Sequence, residues 1–164
     1  MTQYEQSIGK TDEWYTPRRV FDALGCQFDL DVASPFDKTH VCVPALHSYS
    51  DGSLDREWHG FVWNNPPFGG RNGIVPWVRR FVAHGNGILL TPDRTSCPWW
   101  HEFAPKMDAV LFVREKLKFI GADGEPGKQP NQGTCLMAIG DQGVRALERA
   151  QMAGLGYVMG PHRS

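Results

Sequence analysis

Gly60-Phe61-Val62-Trp63-Asn64-Asn65-Pro66-Pro67-Phe68 is a short apolar run cut off by two prolines. The run has the length and composition of a buried strand. Pro66 and Pro67 must end it, because proline offers no amide to a ladder and restricts the residue before it. A strand that stops so abruptly, on two asparagines, presents polar side chains at its carboxyl end. Upstream, Phe28-Asp29-Leu30-Asp31-Val32 alternates apolar and acidic residues and reads as a second strand ending in a carboxylate.

Outward from these two strands the pattern alternates. Pro17 to Gly25 reads as a helix, with proline in its first turn, Val20, Phe21 and Leu24 on one face, and glycine as the stop. Residues 33–57 read as loops with one short strand near Val41–Val43. Ile74 to Phe81 reads as a helix with Trp77, Val78 and Phe81 inward. Gly87–Leu90 reads as a strand, and Trp99–Phe103 as a short helix. Ala109–Val113, Leu117–Ile120 and Thr134–Ile139 read as strands, the last two flanking a Gly- and Pro-rich loop at 121–133. Gln142–Met152 closes the series as a helix with Val144, Leu147 and Met152 apolar. Strands alternating with helices predict an α/β fold with a largely parallel sheet flanked by helices. The expected organisation is a polar arm over 1–12, one domain over 13–154 and a tail over 155–164. Ligands of such sheets bind outside the carboxyl ends of the strands. Asp31-Val32-Ala33-Ser34 and Asn65-Pro66-Pro67-Phe68 are therefore expected on one rim.

Composition narrows the function classes. The chain has 164 residues, 41% hydrophobic and 21% charged, which is globular and excludes global disorder. No apolar run reaches the roughly 18 residues of a membrane span. The first 15 residues lack an apolar signal core, which points to the cytoplasm. Four separated cysteines without a Cys-x-x-Cys pair, and six scattered histidines, give no metal-ligand spacing. The net charge of −1 excludes binding to nucleic acid by bulk positive charge. Its distribution is uneven. Ten acids and five bases give −5 over residues 1–60, whereas six acids and nine bases give +3 over 61–130. An acidic part suits a cationic small ligand, and a basic part suits a polyanion.

Asn65-Pro66-Pro67-Phe68 carries the chemistry. Asn-Pro-Pro-aromatic arises by chance in on the order of one in a thousand chains of this length. The prolines stiffen the backbone and leave carbonyls without local amide partners. The Asn65 side chain adds a second acceptor, so one planar NH2 group can be held by both hydrogens. Held so, its nitrogen is pushed toward a tetrahedral, nucleophilic shape, and an aromatic ring at Phe68 can stack on the ring bearing it.

This tetrapeptide is the hallmark of amino-group methyltransferases that use S-adenosylmethionine. The chain resembles the phage-type DNA adenine-N6 methyltransferase (Dam-type) family. The resemblance also rests on Trp14-Tyr15-Thr16-Pro17 before a helix, Leu30-Asp31-Val32-Ala33-Ser34, Asp51-Gly52-Ser53-Leu54 followed by Trp58, and Thr91-Pro92-Asp93-Arg94-Thr95. Arg114-Glu115-Lys116-Leu117-Lys118-Phe119 completes it. It covers roughly residues 12–140. It implies a Rossmann-like S-adenosylmethionine-dependent methyltransferase fold that methylates the N6 amino group of adenine in double-stranded DNA, in a bacterial host cell, as part of a phage or a restriction-modification system. It implies a catalytic Asn65, Pro66, Pro67 and Phe68, and a cofactor site of Tyr15, Thr16, Pro17, Asp31, Ala33 and Asp51. DNA contacts are expected from Arg71, Arg94, Thr95, Lys116 and Lys118, with no metal and no membrane, in a monomer or homodimer. The usual glycine-rich loop after the first strand is replaced by Ala33-Ser34-Pro35, and the ribose-holding acid has no evident place, Asp37 being one candidate. Cytosine-N4 in DNA, guanine-N2 in RNA and protein glutamine remain alternative acceptors, and a catalytically inactive DNA-binding module is the alternative of another class.

Overall fold

The computed structural model describes residues 14–67 and 73–160. The 1–12 arm, Phe68 and Arg71 lie outside them. Seven strands form one sheet: β1 (Phe28–Asp31), β2 (Ala45–Ser48), β3 (Val62–Asn64), β4 (Gly87–Pro92), β5 (Ala109–Val113), β6 (Thr134–Ile139) and β7 (Gly156–Met159). Their order is β2-β1-β3-β4-β6-β5-β7. The pairs β1–β2, β1–β3 and β3–β4 are parallel, whereas β4–β6, β5–β6 and β5–β7 are antiparallel. The sheet is therefore mixed, not largely parallel. β6 enters between β4 and β5 against their direction, and β7 adds a second reversed strand at the edge. β1 to β5 all run the same way, so their carboxyl ends share one rim.

Helices cover both faces. α1 (Arg18–Leu24) and α4 (Asp141–Met152) pack on one side, where Val20, Phe21 and Leu24 meet Ala146, Leu147 and Ala150 over Phe61, Trp63 and Leu136. α2 (Val75–His84) and α3 (Pro98–Phe103) cover the other, with Val78, Phe81, Trp99, Trp100 and Phe103 against Val62, Leu89 and Met137. Local chemistry sets the helix ends. Pro17 is already extended at φ −64 and ψ 142, and Gly25 ends α1 in the left-handed region. Arg149 Nε donates to the Leu24 carbonyl at 2.9 Å, tying α4 to the open end of α1.

Several expected elements shift, each for a physical reason. The strand expected at 41–43 forms at 45–48, because Pro44 can only accept, which it does from Phe28 N at 2.8 Å. Leu117–Ile120 is not a strand. Both edges of β5 are taken, by β6 and β7, and Ile120 instead makes isolated bridges to Tyr15 and Pro126. The segment from 155, read as a tail, supplies β7. In α4 the buried positions are Gly143, Ala146, Leu147 and Ala150, and Met152 is exposed. Trp77 is half-buried, packed against the core cluster of Val78 and Phe81 and also lining a cavity wall.

Gly60 sets the approach of β3 to β1. Its φ is +67, and a Cβ there would collide with the Asp29 carboxylate, which accepts from Phe61 N at 2.7 Å. Gly60→Ala should therefore cost about 1–3 kcal/mol, read as a lower urea midpoint; an unchanged midpoint would contradict this role.

Candidate active site

The strand order reverses between β1 and β3: the chain leaves β1 for β2 on one side, then returns to β3 on the other. A crevice opens where such connections part. Asp31 is paired with Trp63 across this boundary, so the ends of the two strands lie level. Asp31 closes β1, and Asn65 is the first residue beyond β3.

Two cavities meet there. The larger, of about 520 Å³, is walled by residues 32–36 after β1 and 49–55 after β2, and by Asn65, Pro66 and Pro67 after β3. Trp14, Trp77 and Phe119 close it. The smaller, of about 40 Å³, lies against Tyr15, Thr16, Asp31 and Trp63. Asn65, Ala33, Pro35 and Trp14 line both, so Asn65 stands at their junction. The loops walling the larger cavity are latched by Lys38, whose Nζ donates to Ser34 Oγ and Ser50 Oγ, each at 2.7 Å.

Asp31 is buried at 2% exposure. Its Oδ1 accepts from Ala33 N at 3.2 Å. Burial nevertheless raises its pKa to about 6, outweighing hydrogen bonds from Ala33 and Ser34 and the charge of Lys38. The Lys38 charge offsets only part of this burial, and a ligand ammonium in the small cavity would offset more. Asn65 Nδ2 donates to Thr16 Oγ1 at 3.0 Å. Asn64, one residue earlier, is fully buried, and both of its polar side-chain atoms lack a partner among the described residues. It lines neither cavity.

The structure thus brings together Tyr15, Thr16, Asp31, Ala33 and Asn65 around the small cavity, and Ala33, Asp51, Asn65, Pro66 and Pro67 around the large one. Pro17 lines neither and opens α1. Tyr15 is buried, with its hydroxyl donating to the Asp37 carbonyl at 3.0 Å. The Asp37 carboxylate is exposed and accepts from Thr39 N and Oγ1, which holds its pKa below the usual value. It is a turn residue outside both linings. Arg94, Thr95, Lys116 and Lys118 also lie outside the linings. Arg94 Nε donates to Gln132 Oε1 at 3.0 Å, and Lys116 Nζ to the Asn131 carbonyl at 3.1 Å, so the loop before β6 holds both bases.

The sequence reading missed the apolar wall. Phe36 and Leu54 stand alone in polar loops, and both are substantially exposed at the larger cavity; an isolated large apolar residue in such a loop was the available signal. Trp99 and Trp100 are core residues, Trp100 tilted against Phe112. Burial pushes Cys26 up to about 11 and Cys135 up to about 12, so neither is a thiolate nucleophile. Among the described residues no group of three His, Cys, Asp or Glu is arranged to hold a metal ion, and no helix is long and apolar enough to cross a membrane.

Residues 4–152 match the family model described as DNA N-6-adenine-methyltransferase (Dam). Neither the curated proteins nor the solved structures contain a significant match.

The Asp31 environment has a thermodynamic consequence. Folding raises its pKa from 3.8 to about 6, so the folded chain binds more protons between these values. Stability should fall as pH rises through that window, by on the order of 3 kcal/mol relative to Asp31→Asn. Urea unfolding of both proteins at pH 4 and pH 7 measures this; equal pH dependence in the two would contradict it.

Proposed function

Because the chain belongs to the DNA N-6-adenine-methyltransferase (Dam) family, we propose that it transfers a methyl group from S-adenosylmethionine to the N6 amino group of adenine in double-stranded DNA. The observation that carries this reading is the joint lining of one crevice by Asp31 and Asn65. We read the fold accordingly as a Rossmann-like methyltransferase fold. Helices on both faces, and a crevice at the reversal between β1 and β3, support that reading.

S-adenosylmethionine supplies an electrophilic methyl on a sulfonium, with the neutral thioether as leaving group. The residues present suit it. Asp31 takes the ammonium through a charge-assisted hydrogen bond. Phe36, Leu54 and Trp77 give the large cavity an apolar wall for the adenosine, and Asp51 offers a carboxylate to a ring amine or a ribose hydroxyl at its mouth. Asn65 Oδ1 and the Pro66 carbonyl accept the two hydrogens of the target amine, and Phe68 is proposed as the ring on which the target base stacks. The base must leave the helical stack to reach this rim, which costs roughly a few kcal/mol. Its nitrogen loses one proton to solvent after attack, so no buried base is required. The rate comes mainly from orientation. Arg94, Thr95, Lys116 and Lys118 stand on the same rim, after β4 and β5, and are proposed to meet the DNA backbone or bases, together with Arg71. The setting is the cytoplasm of a bacterial host.

Incubation with labelled S-adenosylmethionine and duplex DNA, followed by nucleoside mass spectrometry, should give N6-methyladenine; label in N4-methylcytosine, or none in DNA, would contradict the proposal. Asn65→Ala should lower single-turnover methylation by about a hundredfold or more while leaving cofactor affinity nearly intact. Asn64→Ala should be far milder. The reverse order would place the catalytic register one residue earlier. Loss of Arg94 or Lys118 should weaken binding to all DNA sequences alike and reduce the salt slope by about one; unchanged slopes for both would remove them from the interface.

A further inference from the structure

We propose that Thr16 is a positioning residue for Asn65: its hydroxyl accepts from the side-chain NH2 and so turns the amide oxygen toward the substrate's amino group. The inference rests on the methyl-transfer reading and departs from the cofactor contact expected of Thr16, because it gives the Thr16 hydroxyl to Asn65 instead.

A primary amide is nearly symmetric in shape but opposite in chemistry at its two ends. Presented with an amine, the oxygen end accepts a hydrogen and holds the nitrogen. The NH2 end offers only hydrogens and repels it. Free rotation of the side chain would leave both orientations populated. The prolines after Asn65 restrain the backbone but not the side-chain amide, which needs a partner of its own to be held with its NH2 end turned away from the substrate.

Thr16 Oγ1 is the group in place. It lies 3.0 Å from Asn65 Nδ2, and Thr16 is 5% exposed. Thr16 is itself rigidly held. Tyr15 and Ile120 exchange both backbone hydrogen bonds, at 2.8 and 2.9 Å, and the Tyr15 hydroxyl is fixed on Asp37. Pro17 then starts α1, whose Val20, Phe21 and Leu24 are in the core. The hydroxyl is thus carried between two anchored neighbours. A cofactor contact alone would not require it to face the residue after β3.

The test uses Thr16→Val, which keeps the shape, and Thr16→Ser, which keeps the hydroxyl. Thr16→Val should lower kcat roughly five- to tenfold, the loss of one hydrogen bond, with S-adenosylmethionine affinity by calorimetry within about twofold. In nitrogen–proton spectra of the free protein, the Asn65 NH2 pair should move toward the position of an unbonded amide. Thr16→Ser should restore both the rate and the resonance. Lost cofactor affinity with kcat preserved would overturn the proposal and leave Thr16 as a cofactor contact. An unchanged Asn65 resonance in Thr16→Val would overturn the contact itself. Failure of the unsubstituted chain to methylate DNA would overturn the reading beneath it, and the resonance keeps the two failures distinct.

Discussion

The pairing of Asp31 with Trp63 sets the level at which β1 and β3 end, and the site depends on that level. Val32 N donates to the Trp63 carbonyl at 3.0 Å, which locks the register one residue beyond the strand end. A slip by one residue would reverse every side chain of β3. Asn65 would leave the crevice, Asn64 would enter it, and Trp63 would lose Phe21 and Phe28, its aromatic neighbours in the core. Burial of Trp63 therefore enforces the register on which the proposed chemistry relies, and the core and the candidate site share one constraint.

The same logic explains why the walls of the crevice are loops. After β1 the chain reaches β2 without a helix, through Val32 to Pro44. What holds this stretch is a set of specific bonds: Tyr49 N to the Asp31 carbonyl at 2.9 Å, Ser34 N to the Tyr49 carbonyl at 2.9 Å, and the Lys38 ammonium on two serines. Phe36 and Leu54 of these loops line the larger cavity. Buried Asp31 adds an electrostatic demand. Its raised pKa records energy spent on desolvation, which a cationic ligand would recover.

Much of the site was legible because its residues are conspicuous where strands stop. Asp31 and Asn65 were readable from an acid and an asparagine at strand ends, without knowledge of their partners. The helix α1 was readable from proline at one end, glycine at the other and packing positions along one face. Features set by distant pairing were not. Leu117–Ile120 has strand composition, but β5 had no free edge to offer it. Gly156–Met159 is short and closely follows the turn at Ala153 and Gly154, and only pairing with β5 makes it a strand. The contact of Thr16 with Asn65 joins residues 49 apart in sequence, and no local pattern encodes it.

In the proposed reading one ligand would lie across both cavities, with its amino-acid end at Asp31 and its sulfur beside Asn65. A crystal structure with S-adenosylhomocysteine tests it most directly. The ligand ammonium is expected within hydrogen-bond distance of Asp31, the sulfur at the junction lined by Asn65, and the adenosine against Phe36 and Leu54. A ligand bound in the opposite direction, or away from the β1–β3 crevice, would contradict it.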